Sequence, residues 1–146
     1  MAGNLLLSLL LNSGLAQYPD VPTYTAATSL RPEDRPTVPV IPTAPTDSAA
    51  TNILRVRPKT NGWYDDRGKT IRVVTGTDTY KSPTGLAGLL AHEGQHAAEH
   101  AAGRSPFDEE VAYRQQAQVL KRLGDREGAL AIELALRQRA TQTARK

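Results

Sequence analysis

Leucines at 86, 89 and 90 and alanines at 97 and 101 recur at the three- and four-residue spacing of one helical face, which predicts a helix from Ser82-Pro83 to Ala102. Ser82 offers a hydroxyl to cap free amides, Pro83 stands where its missing donor costs nothing, and Gly103 supplies a left-handed stop. Ser105-Pro106-Phe107-Asp108 predicts the start of a second helix reaching about Leu123. After the stop and cap at Gly124-Asp125, residues Gly128 to Ala140 predict a third helix, with Leu130, Leu134 and Ile132 as core candidates, so the C-terminal part reads as an αα-hairpin. Upstream the period shortens to two. Ile53-Leu54-Arg55-Val56-Arg57 alternates apolar and basic residues, and Thr70 to Thr75 is a β-branched run. Asn61-Gly62 and Asp65-Asp66-Arg67-Gly68 are turn signals on either side of Trp63-Tyr64, so residues 53–75 predict a small antiparallel meander covered by the first helix.

Before residue 52 the pattern dissolves. Between Tyr18 and Thr51 stand prolines 19, 22, 32, 36, 39, 42 and 45 and threonines 23, 25, 28, 37, 43, 46 and 51. Each proline removes an amide donor and biases its predecessor to extended backbone, which predicts a polyproline-like arm or linker over residues 17–51 and a folded domain over 52–146. Residues 1–16 contain the run Leu5-Leu6-Leu7-Ser8-Leu9-Leu10-Leu11, too short to cross a bilayer, and fit either a signal peptide ending at Gly14-Leu15-Ala16 or a docking helix. No transmembrane span is expected.

Composition narrows the chemistry. A length of 146 residues suits one domain, and with 39% hydrophobic but only 5% aromatic residues the core must come from Leu, Ala, Val and Ile, in an α+β fold and not a large β-sandwich. Eighteen Lys plus Arg against fifteen Asp plus Glu leave a net charge of +3 with the signs interspersed, which gives no case for nucleic acid. The chain has no cysteine, so thiolate metal sites and thiol nucleophiles are excluded, and any metal must be held by His, Asp or Glu. The three histidines are His92, His96 and His100.

His92-Glu93-Gly94-Gln95-His96 has the H-E-x-x-H form and falls inside the helix predicted on independent grounds. Residues four apart share a helical face, so both imidazoles can reach one zinc ion at about 2.1 Å. Glu93 then stands beside the metal as general base and acid, taking a proton from a polarised water and returning it to a leaving amine. A catalytic zinc uses a third protein ligand. His100 is a poor choice, because eight residues along a rigid helix separate it from His92 by about 12 Å, and it reads as a half-exposed polar residue at the helix end, with a place bordering the cleft as the other reading. Asp108, Glu109 and Glu110, at the start of the second helix, bring carboxylates to the right neighbourhood, although the helix dipole alone also favours acids there.

Three segments together resemble the short gluzincin-type zincin metallopeptidases, whose site is thermolysin-like: the strands holding Trp63-Tyr64-Asp65 and Thr70-Ile71-Arg72-Val73, the helix Leu90-Ala91-His92-Glu93-Gly94-Gln95-His96, and the stretch Glu109-Glu110-Val111-Ala112-Tyr113-Arg114-Gln115. Short members are similar to E-x-x-A-Y-R-x-Q in the last of these. The resemblance covers roughly residues 60–123 and implies a minimal zincin-like domain, a zinc cofactor and Glu109, ahead of Glu110, as third ligand. It also implies that Tyr113 orients a ligand or supports the oxyanion, against the plainer reading of a core aromatic. Gly94 departs from the family, many of whose members carry a larger apolar residue there.

The function expected is hydrolysis of peptide bonds in a peptide or protein substrate, with Thr70 to Thr75 as an edge strand able to hold an extended peptide. Two other readings follow from the arm. One is a structural or assembly protein, such as a phage-particle or secreted-complex component docking through its arm, which makes a secreted or particle-associated location the expectation. The other is self-inhibition, with Asp20, Asp34 or Asp47 offered to the metal.

Overall fold

The computed structural model describes residues 18–104 and 107–145. The chain is α+β, and the described residues form a three-stranded sheet with six α-helices. In order these are α1 (Val21–Ser29), a 3₁₀ turn (Pro32–Asp34), β1 (Val40–Thr43), α2 (Ser48–Val56), β2 (Gly62–Asp65), β3 (Thr70–Val74), α3 (Asp78–Lys81), α4 (Pro83–Ala101), α5 (Glu109–Arg122) and α6 (Arg126–Ala144).

The proline-rich stretch is not a linker from Tyr18 onward. Its prolines stand where regular structure tolerates them. Pro22 and Pro32 occupy the first positions of helical turns, where the lost donor had no partner. Pro42 lies in β1, and the sheet order β1-β3-β2 makes β1 an edge strand, which can lack a donor on its open side. The stretch then supplies Tyr18, Ala26, Ala27, Leu30 and Val40 to the main core, beside Ile71, Val73, Leu86 and Leu90. The domain boundary expected at Asn52 is therefore corrected: residues 18–51 belong to the same packed unit. Asp34 secures them, its buried carboxylate accepting from Arg122 at 2.7 Å and from Gln115 at 2.8 Å on α5. Residues 1–16, with the leucine run, lie outside the described residues.

Two further expectations are corrected. Residues 53–57, whose alternation suggested a strand, end α2 instead. The carboxylate of Asp47 accepts from the Ala49 amide as N-cap, and Ala50 packs inward, so cap and alanines outweigh a five-residue alternation. The sheet is mixed and not a meander: β2 pairs antiparallel with β3, but β1 pairs parallel with it, Val40 against Ile71 through Thr43 against Val74. β3 is thus central, and the predicted edge strand is not an edge.

The helical part follows the periodicity closely. Leu86, Leu89, Leu90 and Ala97 of α4 are buried, although Ala101 is exposed. Asp108 caps α5 through the Val111 amide, in place of the expected Ser105, which with Pro106 lies outside the described residues. Asp125 caps α6, which runs to Ala144. This helix packs through Ala129 and Ile132 against Ala117 and Leu120, leaving Leu130 and Leu134 51% and 46% exposed and not in the core. No helix among the described residues is long and apolar enough to cross a membrane.

Candidate metal centre

Helix α4 runs through the middle of the domain, with α1, α5 and the sheet around it, and is buried almost continuously from Leu86 to Glu93. Its one-turn spacing turns His92 and His96 to the same side, their Nε2 atoms 3.2 Å apart. Glu109, the first residue of α5, lies over them with Oε1 2.5 Å from His96 Nε2 and Oε2 3.6 Å from His92 Nε2. One donor atom from each residue lies within 4.8 Å of the others. Two imidazole nitrogens and a carboxylate oxygen, brought together from two helices, suit a borderline metal such as zinc in donor type and number. Glu110 turns away, pairing with Arg114 in solvent.

Burial decides the electrostatics. Glu93 is 7% exposed, and burial, reinforced by the Glu109 charge, pushes its carboxyl up to about 8 against a hydrogen bond from the Tyr64 backbone amide. Burial likewise lowers the His92 imidazole, with the Glu109 charge opposing it and His96 adding to it. This disposes His92, which shares its helical face with His96, to the neutral form that binds a metal. Their Nδ1 atoms are buried without a hydrogen-bond partner among the described residues. Aromatic packing holds the rings: Tyr113 meets His92 edge-on at 4.5 Å between centroids, and Phe107 tilts against His96 at 5.4 Å. Tyr113 is itself raised by burial and by Glu109.

Sequence reasoning passed over several residues that fix this arrangement. Glu99, buried and one turn beyond His96, accepts from the Asp108 amide at 2.8 Å and from Gln95, so it fastens the start of α5 where Glu109 reaches the histidines. An acid three residues after His96, on the apolar side of a helix, was the available signal. Gln116 stands within hydrogen-bonding reach of His92. His100 is no part of the donor group, since its Nδ1 meets the Tyr64 hydroxyl at 2.7 Å. That contact ties β2 to α4 on the side where the Tyr64 amide holds Glu93. Gly94 faces Pro36, whose Cα and Cγ lie 3.5 Å from where a Cβ would stand, so the proline-rich stretch packs directly on the α4 backbone there.

None of the three arm aspartates reaches the site. Asp20 caps α1 and accepts from Tyr80, Asp34 holds α5, and Asp47 caps α2, which removes the self-inhibition reading. The donors instead open into a cleft of about 1030 Å³ between α4 and α5, the outer strand β2, and α2 with the loop after it. Its walls include Ile53, Val56, Arg57, Trp63 and Tyr64.

Among known proteins no family model matches the chain, and no curated protein or solved structure matches it.

Proposed function

We propose that the protein is a zinc-dependent metallopeptidase in which His92, His96 and Glu109 hold the metal and Glu93 is the general base and acid. The observation that carries this reading is the meeting of three ligand atoms within 4.8 Å beside a buried carboxylate, on the floor of an open cleft. A zinc ion supplies Lewis acidity there when bound, polarising a peptide carbonyl and acidifying a water. Glu93 takes a proton from the attacking water and delivers it to the leaving nitrogen, so the peptide C–N bond is exchanged for a C–O bond and the proton balance closes. Glu93 must be ionised to take the proton, a form that a bound cation would favour, and burial then favours its holding the proton until delivery. The Tyr64 amide fixes the carboxylate, and the Tyr64–His100 hydrogen bond steadies the strand that bears the amide.

The strand bordering the cleft is β2, and its open edge takes over the substrate-holding role first expected of Thr70 to Thr75. Tyr113 packs on His92 at the cleft wall, which supports its role in orienting that ligand. The assembly reading loses its support over residues 18–51, because that segment is core and not a free arm.

The test is metal stoichiometry beside hydrolysis of an unstructured protein such as casein. The expected result is one zinc per chain and chelator-sensitive cleavage, lost in Glu93→Gln with zinc retained. Glu109→Ala is expected to weaken zinc binding. Absence of zinc binding in the folded protein, or cleavage undiminished in Glu93→Gln, would overturn the proposal.

A further inference from the structure

The charges lining the cleft are divided by use. Its acids are Glu93 and Glu109, both committed to the metal centre. Its other charged residues are Arg57 and Lys59, on the turn between α2 and β2, and neither has an ion-pair partner among the described residues. Their loop is fixed. The Arg57 amide closes α2 on the Ile53 carbonyl, the Thr60 amide bonds the Arg57 carbonyl at 3.1 Å, and the Asn61 carbonyl accepts from Val74 of the central strand at 2.8 Å. Two cations are thus held at the cleft rim on a hydrogen-bonded turn that leads directly into β2. A third lies beyond Tyr113, where the Arg139 guanidinium stands 5.8 Å from the ring centroid, beside a small apolar pocket of about 230 Å³ that shares Tyr113 as a wall. The apolar part of the rim is Ile53, Val56 and Trp63, with Val56 77% exposed.

We propose that the substrates are acidic peptides: extended segments lying along β2 with Asp or Glu side chains near the scissile bond, received by Arg57 and Lys59. This rests on the peptidase reading and specifies its substrate class. A carboxylate in the cleft meets two cations carried on a hydrogen-bonded turn and no uncommitted anion, whereas a Lys or Arg side chain is repelled by those cations. Rim charges act mainly on encounter and binding, so the preference belongs in KM more than in kcat and weakens as salt rises.

The experiment compares unstructured peptides carrying Glu with twins carrying Gln at the same positions, in the presence of zinc, with wild type, Arg57→Glu/Lys59→Glu, and the control Arg67→Glu/Arg126→Glu, whose residues are exposed outside the cleft. Cleavage is read as kcat/KM. Binding is read on zinc-loaded Glu93→Gln protein by the fluorescence of Trp63, the chain's single tryptophan, which lines the cleft. Glu peptides are expected to be cleaved about three- to tenfold better than their twins, an advantage lost in the cleft double variant, retained in the control and reduced by salt. Equal cleavage of the twins, or an advantage that survives the cleft reversal, overturns the acidic preference and leaves the peptidase reading standing. If no peptide is cleaved, the Trp63 titration decides. Tighter Glu-peptide binding that vanishes in the cleft variant upholds the acidic ligand class while the peptidase reading falls. Equal or absent binding overturns the acidic preference as well.

Discussion

Replacing Glu93 by Gln should abolish hydrolysis and at the same time stabilise the metal-free fold. The carboxyl has an ordinary value of 4.5 and is pushed up to about 8 by burial and by Glu109. Because the folded value lies above the unfolded one, Glu93's contribution to stability is fully present below about 4.5 and is lost as pH rises through about 8. At neutral pH the unfolded chain has released a proton that the folded chain retains. At about 1.4 kcal/mol per tenfold in the protonation equilibrium, the fold has then lost about 3 kcal/mol of its low-pH stability. Glutamine is nearly isosteric, keeps an oxygen for the Tyr64 amide and carries no charge. The advantage of Glu93→Gln should therefore be close to zero at about pH 4.5 and reach about 3 kcal/mol near pH 7. Urea unfolding of both proteins with chelator, at several values between about pH 4.5 and pH 8, measures it directly. His92 titrates in both proteins, so the difference isolates Glu93. Adding zinc should shrink the difference, since a cation favours the ionised carboxylate. A difference independent of pH, or a variant less stable than wild type at pH 8, would refute the reasoning.

Three other outcomes are expected. Deleting residues before Asn52 should leave the remainder unfolded by circular dichroism. The loss of Tyr18, Leu30 and Val40 from the core removes about 1.5–3 kcal/mol for each large side chain, before the Asp34–Arg122 contact is counted, against a whole-domain stability of about 5–15 kcal/mol. A folded, stable truncation would contradict the integrated core. At position 94, alanine should be tolerated or stabilising by up to about 1 kcal/mol, because Pro36 lies at ordinary contact distance from the new methyl. Gly94→Leu should lower the thermal midpoint by driving into Pro36, and an unchanged midpoint would show that the contact is slack. Finally, burial and the bond to Asp20 push the Tyr80 hydroxyl from 10.0 up to about 12. Its stabilising contribution is present below about pH 10 and lost as pH rises through 12, so Tyr80→Phe should flatten the alkaline fall in stability, and an identical fall in both proteins would exclude that link.

The helices α4, α5 and α6 could be read from the chain because their information is local: an apolar stripe at helical spacing, a capping residue and a stop glycine within a few positions of each end. His92, Glu93 and His96 were legible for the same reason, since one turn of helix fixes their mutual geometry. Glu109 could be named only by resemblance, and its place over the histidines depends on the turn that Glu99 fastens. The proline-rich stretch is not legible in this way, because proline taken locally looks like a breaker wherever it occurs. Its cost depends on whether the lost donor had a partner, and that is set by helix starts and by which strand lies at the sheet edge. The strand order β1-β3-β2 pairs residues about thirty apart in sequence, and no local pattern specifies a parallel neighbour at that distance. The sequence by itself determined that His92, Glu93 and His96 share one stretch of helix, and the chemistry open to a chain without cysteine. Only the tertiary structure decided which carboxylate joins them, which strand borders the cleft and which cations face it, because those contacts join segments whose separation along the chain leaves no periodic trace.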